Sequence, residues 1–256
     1  MENKTLKGEE KMNERYVLSV VMPAYNEEKH IYNNALKVDK IIGKFCDSYE
    51  IIIVNDGSKD NTKTEIKKAV EQRETIKMIS YDKNGGKGKA ICFGVKKAVG
   101  KYIAFLDADL DLPPEQIEKY MKPLEQNEAD VVIGSKMHKD SEIEYPMIRR
   151  IMSFGYYIML RILFNLKTKD TQTGLKVFKS EVIKPIISLI KTKGFAYDIE
   201  ILVAVNSRGY RIKEMPVKLV FTRENGMGRI KLTDIFKTFT DTFNIFYRAR
   251  IKKYYR

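Results

Sequence analysis

Short apolar runs of strand length alternate along the first half of this chain with stretches whose apolar residues recur at helical spacing. Residues 16–23 form the first run, and 27–44 carry a helical pattern. A second strand is predicted at 50–55, where Ile51-Ile52-Ile53-Val54 is β-branched and continuous, as buried parallel strands are. Asp60-Asn61-Thr62 offers caps for a helix to about residue 73. A third strand follows at 75–81, a helix at 87–99 and a fourth strand at 102–106. Pro113-Pro114 opens a helix to about residue 126, using proline at a helix start, and 129–134 is a fifth strand. This alternation predicts an α/β fold with a mainly parallel sheet flanked by helices.

The second half reads differently. Residues 145–166 form a long, mostly apolar helical stretch carrying Arg149, Arg150 and Arg161. A short strand or loop is expected at 171–178, helices at 180–190 and 196–207, and extended chain at 210–222. From 232 to about 253 the pattern is a basic amphipathic helix. No composition shift marks a linker, so one domain is expected.

Composition narrows the function classes. The net charge is +13, from 47 basic and 34 acidic residues, which implies an anionic partner: nucleic acid, membrane surface or phosphorylated substrate. Two histidines, His30 and His138, exclude a histidine-rich metal site. Cys46 and Cys92 lack metal-ligand spacing and read as free thiols of a reducing compartment. Residues 1–15 are polar with no signal-like apolar core, and no run reaches the roughly 18–20 apolar residues that span a bilayer.

The candidate chemistry lies at strand ends. The apolar run Tyr102-Ile103-Ala104-Phe105-Leu106 stops in Asp107, Asp109 and Asp111, three carboxylates at alternate positions. They project together if the extended path continues. Like charges side by side are most easily tolerated around a cation, and oxygen-only ligands suit a hard divalent ion; an acidic turn after a buried strand is the plainer alternative. Pro23-Ala24-Tyr25-Asn26-Glu27 follows the first strand and Asn55-Asp56-Gly57-Ser58 the second. In a parallel sheet these polar ends converge on the rim where ligands bind. Asn84-Gly85-Gly86-Lys87-Gly88-Lys89 puts glycines and cations before a helix, either a phosphate-approaching loop or a plain turn. It lacks the Walker spacing, and no Gly-x-Gly-x-x-Gly follows the first strand, which argues against a dinucleotide-binding domain.

In order and spacing these segments resemble the family 2 inverting glycosyltransferases, over nearly the whole chain. Gly134-Ser135-Lys136, Asp170-Thr171-Gln172-Thr173-Gly174-Leu175-Lys176 and Phe195-Ala196-Tyr197-Asp198-Ile199-Glu200 narrow the resemblance to the dolichyl-phosphate glucose and mannose synthases, with a lean to the glucose branch. The resemblance implies a single GT-A-type, Rossmann-like domain. It would occupy residues 16–228, with a nucleotide half at about 16–135 and an acceptor half at about 136–228. A polar extension (1–15) would precede it and a basic helix (229–256) follow. It implies transfer of a hexose from a nucleoside diphosphate sugar, UDP-glucose first and GDP-mannose next, to a polyprenyl or dolichyl phosphate, with Mg2+ or Mn2+. Pro23, Ala24, Tyr25 and Glu27 would line the base and ribose pocket, and Asp56 would meet the base. Asp107 would sit by ribose and metal, Asp109 would ligate the metal, and Asp111 is a further ligand position. Lys87 would help position the nucleotide. Asn55 stands where the family usually has a first aspartate, and Lys136 where it often has arginine, which keeps the charge and loses the bidentate fork.

A lipid phosphate is already ionised near neutral pH, so this chemistry needs no dedicated base. Bringing two anions together is the harder task, and Lys136, Arg149 and Arg150 are the candidates for holding the acceptor phosphate. Gln172, Asp198 and Glu200 are candidates for the acceptor or sugar pocket, although Asp198 and Glu200 also suit a helix N-terminus simply as dipole partners. Between 229 and 256 there are eight basic residues against two acidic, with Ile235, Phe239, Phe243 and Phe246 at helical spacing. Such a helix fits an anionic bilayer surface or packs on the domain through its aromatic stripe. The expected location is the cytoplasmic face of a membrane, held peripherally. Two rivals stand beside this reading: a glycosyltransferase acting on a polysaccharide or protein-linked glycan, and a basic nucleic-acid-binding module. The acidic rim argues against nucleic acid, since it repels phosphates unless a metal is bound.

Overall fold

In the computed structural model, which describes residues 15–142, 147–220 and 232–256, the apolar runs become one seven-stranded sheet. The side chains of 147–154 and 232–236 also lie outside the described set, as does all of 1–14. The strands are β1 (Tyr16–Ala24), β2 (Tyr49–Asp56), β3 (Ile76–Tyr81), β4 (Gly100–Phe105), β5 (Val131–Ser135), β6 (Lys176–Lys179) and β7 (Ile212–Pro216), in the order β3-β2-β1-β4-β6-β5-β7. Every pairing is parallel except those of β6, which runs antiparallel to both β4 and β5. The short strand or loop expected at 171–178 is thus this inserted strand.

The helices are α1 (Ile31–Ile42), α2 (Thr62–Gln72), α3 (Lys87–Lys97), α4 (Gln116–Glu125), α5 (Met147–Phe164), α6 (Ser180–Ile187), α7 (Tyr197–Ser207) and α8 (Leu232–Phe246). They cover both sheet faces. In β2, Ile51 and Ile53 join one core with α1, α2 and α4, while Ile52 and Val54 join a second core with α3, α6 and α7. β4 divides likewise, with Ala104 on one side and Ile103 and Phe105 on the other. A strand buried on both faces has no polar alternate positions, hence its continuous apolar sequence.

Three sequence expectations are corrected. The helix predicted from residue 27 starts at Ile31. Asn26 takes a left-handed conformation (φ 55°), and the amides of Asn26 and Glu27 turn to Ser58 and Thr62 instead of opening a helix. The helix predicted to run to about 253 is α-helical only to Phe246, followed by a π-helical turn, Tyr247–Ile251. Its stripe also splits: Ile245 and Thr242 are buried, Phe246 meets Phe164, and Phe239 and Phe243 are exposed. Ile235, Arg229 and Lys231 lie outside the described residues or side chains. Among the described residues no helix is long and apolar enough to cross a membrane.

Candidate active site

The extended path of β4 ends at Phe105, so strand alternation is not what brings Asp107, Asp109 and Asp111 together. A tight turn does it. The Leu110 amide donates to the Asp107 carbonyl (3.2 Å), the Asp111 amide to the Asp109 carboxylate (3.3 Å), and Leu110 is held at φ 57°. A left-handed leucine is strained, and its buried side chain, 4% exposed, fixes it there. Asn34 anchors the turn from α1 through the Ala108 carbonyl (2.8 Å), and the Val220 amide anchors it from the far side through the Asp111 carbonyl (2.9 Å).

The three aspartates line an open cavity of about 150 Å³ together with Leu112, Lys136, Gln172, Thr173, Gly174 and Leu219. The structure therefore unites the carboxylates with two of the basic and polar residues read from the sequence. Lys87 joins from α3, its Nζ 2.5 Å from Asp107 Oδ1. Burial would lower the Lys87 pKa, but Asp107, then Asp198 and Asp109, outweigh it and raise the value. The ammonium is thus held charged beside the carboxylates.

Asp170, on the 165–175 loop, organises the basic side of the cavity. Its carboxylate accepts from the Lys136 amide (2.9 Å), the Gln172 amide (3.0 Å) and the Thr173 hydroxyl (2.6 Å), and Lys136 Nζ lies 3.9 Å away. Burial alone would raise its pKa, but Lys136 and these hydrogen bonds hold the carboxyl below its ordinary value. Asp170 belongs to a motif segment in the sequence but carries no expected role there. The available signal was an aspartate two residues before a glutamine in a polar loop, the pattern of a side chain that captures local amides.

Around the rim, Pro23 and Ala24 close β1 opposite Val54 and Asn55 of β2. The loops after both strands are laced together: Asn26 donates its amide to Ser58, Glu27 to Thr62 (2.7 Å) and Glu28 to Asp60. Tyr25 and Glu27 thus sit on the same rim, outside the wall of the aspartate cavity. Asp56 is buried, its carboxylate accepting from the amides of Gly85 (2.7 Å) and Gly86 (2.9 Å), so it ties the end of β2 to the loop that presents Lys87.

Asp198 and Glu200 do not line the cavity. Residues two apart on a helix point about 200° apart, and α7 is buried over nearly its whole length, so each carboxylate has its own partner set. Asp198 pairs with buried Lys176 (2.7 Å); burial raises its pKa against the pull of Lys176 and Lys87. Glu200, fully buried, binds Arg248, Tyr255 and the amides of Lys191 and Thr192. Arg149 and Arg150 fall in the first turn of α5, where side chains lie outside the described set.

The donor set suits a hard divalent cation. Among the described residues no three His, Cys, Asp or Glu side chains close into a metal cage. Magnesium-type ions are commonly held by one or two carboxylates plus substrate phosphates, so an all-protein cage is not required. The turn supplies carboxylates on one wall, Lys136 lines the same cavity, and Lys87 adds positive charge through its pair with Asp107.

Comparison with known proteins bears on the family and the fold. Residues 19–187 match the family model described as Glycosyl transferase family 2. A dolichyl-phosphate beta-glucosyltransferase of Dictyostelium discoideum is 32% identical over 213 residues, covering 78% of this chain and 65% of that one. The Saccharomyces cerevisiae protein of the same description is 31% identical over 231 residues, covering 82% and 69%. Among solved structures, glucosyl-3-phosphoglycerate synthase from Mycobacterium tuberculosis, in complex with Mn2+, UDP-glucose and phosphoglyceric acid, superposes with a TM-score of 0.67 at 18% identity, covering 91% of this chain and 79% of that one. At that identity the likeness is one of fold.

Proposed function

The chain belongs to glycosyl transferase family 2, and from that premise we propose that it transfers glucose from UDP-glucose to a dolichyl or other polyprenyl phosphate, with inversion at the anomeric carbon. GDP-mannose is the second donor candidate. The observation that carries this reading is the cavity where Asp107, Asp109 and Asp111 face Lys136 and Gln172, with Lys87 bridging from α3. It offers places for a cation-bound diphosphate and for a second anion. The relatives described as dolichyl-phosphate beta-glucosyltransferases support the choice of acceptor and sugar.

In this scheme Tyr25, Glu27 and the end of β1 receive the nucleoside, and Asp56 holds the 84–88 loop against it. A divalent cation, held at Asp109 with Asp107 and Asp111 beside it, would offset the charge of the departing diphosphate. Lys87 keeps Asp107 oriented and adds positive charge on the same side. Lys136, fixed by Asp170, receives the acceptor phosphate, with Arg149 and Arg150 as further candidates. An oxygen of the ionised acceptor phosphate attacks the anomeric carbon as the bond to the diphosphate breaks. No proton has to be removed from the attacking oxygen, so no general base is assigned.

The acceptor's lipid tail calls for a membrane surface. Phe243, Tyr247 and Ile251 are exposed at the C-terminal end and Ile158 and Ile162 on α5, a pattern suited to an interface. The test is a panel of UDP- and GDP-sugars with a short polyprenyl phosphate, with and without EDTA, reading sugar in the organic extract. Glucose in that extract from UDP-glucose, lost with EDTA, is expected. Transfer only to soluble saccharides would favour the polysaccharide reading.

A further inference from the structure

Glu200 is fully buried, yet it makes four hydrogen bonds to groups remote from it in sequence or on another loop. Oε1 accepts from Arg248 Nη2 (2.9 Å) and the Tyr255 hydroxyl (2.5 Å). Oε2 accepts from the amides of Thr192 (2.7 Å) and Lys191 (3.1 Å). Arg248 adds a bond from Nε to the Tyr255 hydroxyl (3.0 Å) and one from Nη2 to Thr192 Oγ1 (3.3 Å), and Arg208 holds the Tyr255 carbonyl (3.0 Å). One carboxylate therefore joins the C-terminal segment to the 191–194 loop.

That loop lies directly on the loop that presents Lys87. The Gly88 amide donates to the Lys193 carbonyl (2.9 Å). A Cβ at Gly88 would meet the Thr192 and Lys193 carbonyls and the Tyr197 side chain, and one at Gly86 would meet the Lys193 carbonyl. Glycine alone lets these backbones approach so closely. Lys87 stands between the two glycines and reaches Asp107 at 2.5 Å. The contacts run without a gap from Tyr255 and Arg248 through Glu200, the 191–193 backbone and Gly88 to Lys87 and the aspartate turn.

We propose that Glu200, Arg248 and Tyr255 form a positioning clamp through which the C-terminal segment sets the Lys87 loop for donor binding. The donor-binding part rests on the reading of Lys87 as a nucleotide-positioning residue. None of the three clamp residues lines the aspartate cavity, so they act through the loop and not on the reacting atoms. Arg248 and Thr192 also line a separate cavity of about 240 Å³ with Lys191, Lys193, Lys237 and Asp241, which leaves the clamp reachable from solvent on that side.

Tyr255→Phe in the full chain carries the test, because it removes one hydroxyl and keeps the ring. Glu200→Gln is the harsher companion, and Arg248→Lys should fall between Arg248→Ala and the parent. Two quantities are read: hydrogen exchange at the Thr192 and Gly88 amides, and KM for the donor against kcat. The clamp predicts that Tyr255→Phe speeds exchange at both amides and raises donor KM about fivefold, the size of one lost hydrogen bond, with kcat within about twofold. Strand amides such as Ile52 should exchange as in the parent. Faster exchange at Gly88 with donor KM unmoved would uphold the clamp and remove Lys87 from donor binding. Faster exchange at Thr192 with Gly88 and donor KM both unchanged would overturn the proposal.

Discussion

Gly174 governs how closely the 165–175 loop approaches the aspartate turn. A Cβ there would overlap the Asp107 carboxylate, so Gly174→Ala must displace either the loop or Asp107. The expected outcome is a fall in kcat/KM of at least about tenfold with thermal stability nearly unchanged, measured as steady-state transfer beside a melting curve; a misplacement of about 1 Å at a reacting centre has effects of this order. At this scale the sequence was informative where a residue broke a local pattern. Asp107, Asp109 and Asp111 stood out because an apolar run cannot end in three carboxylates without consequence. Asp170 did not, since its role is to gather nearby amides and a polar loop residue looks the same whether or not it does so. Glu200 reads in sequence as a helix N-terminal or pocket carboxylate and not as a clamp, because Arg248 and Tyr255 lie 48 and 55 residues away.

Elements were legible where burial left an unbroken apolar run or a helical period. The strands β1, β2 and β4 emerged from continuous apolar runs, whereas the antiparallel β6 is four residues long and its preceding loop is polar. Asp130, just before β5, ties the end of β6 through Lys179 (3.3 Å) and the start of β7 through Arg211 (2.9 Å). The Arg211 hydrogen bonds, helped by Lys179, hold the Asp130 carboxyl well below the ordinary carboxylate value against the opposing effect of burial. A depressed carboxylate stabilises the fold above its unfolded pKa of about 4, and that stability is lost as pH falls through the folded value. Asp130→Asn should therefore cost about 1–2 kcal/mol at pH 7, limited by the half-exposed Arg211, and the difference from the parent should shrink below about pH 4 in urea titrations. α8 divides its labour between faces. Ile245→Ala should destabilise by about 2–4 kcal/mol, since the side chain is fully buried. Phe243→Ser, at a 58% exposed position, should leave stability within about 0.5 kcal/mol. It should nevertheless weaken sedimentation with anionic vesicles. Equal vesicle binding by Phe243→Ser and the parent would take α8 out of the membrane interface.

Across the whole molecule, the formal charge of +13 and the acidic turn are two parts of one electrostatic arrangement. The carboxylates line a cavity with Lys136, and Lys87 pairs with Asp107, while the general positive charge favours phosphate-bearing partners and an anionic surface. The proposed transfer of sugar to a lipid phosphate depends on the aspartate turn. The most direct test follows labelled glucose from UDP-glucose into an organic-extractable product, using a short polyprenyl phosphate and Mg2+ or Mn2+. The parent chain should form that product and Asp109→Ala, folded to the same melting temperature, should form none. Full product formation by Asp109→Ala would contradict the account.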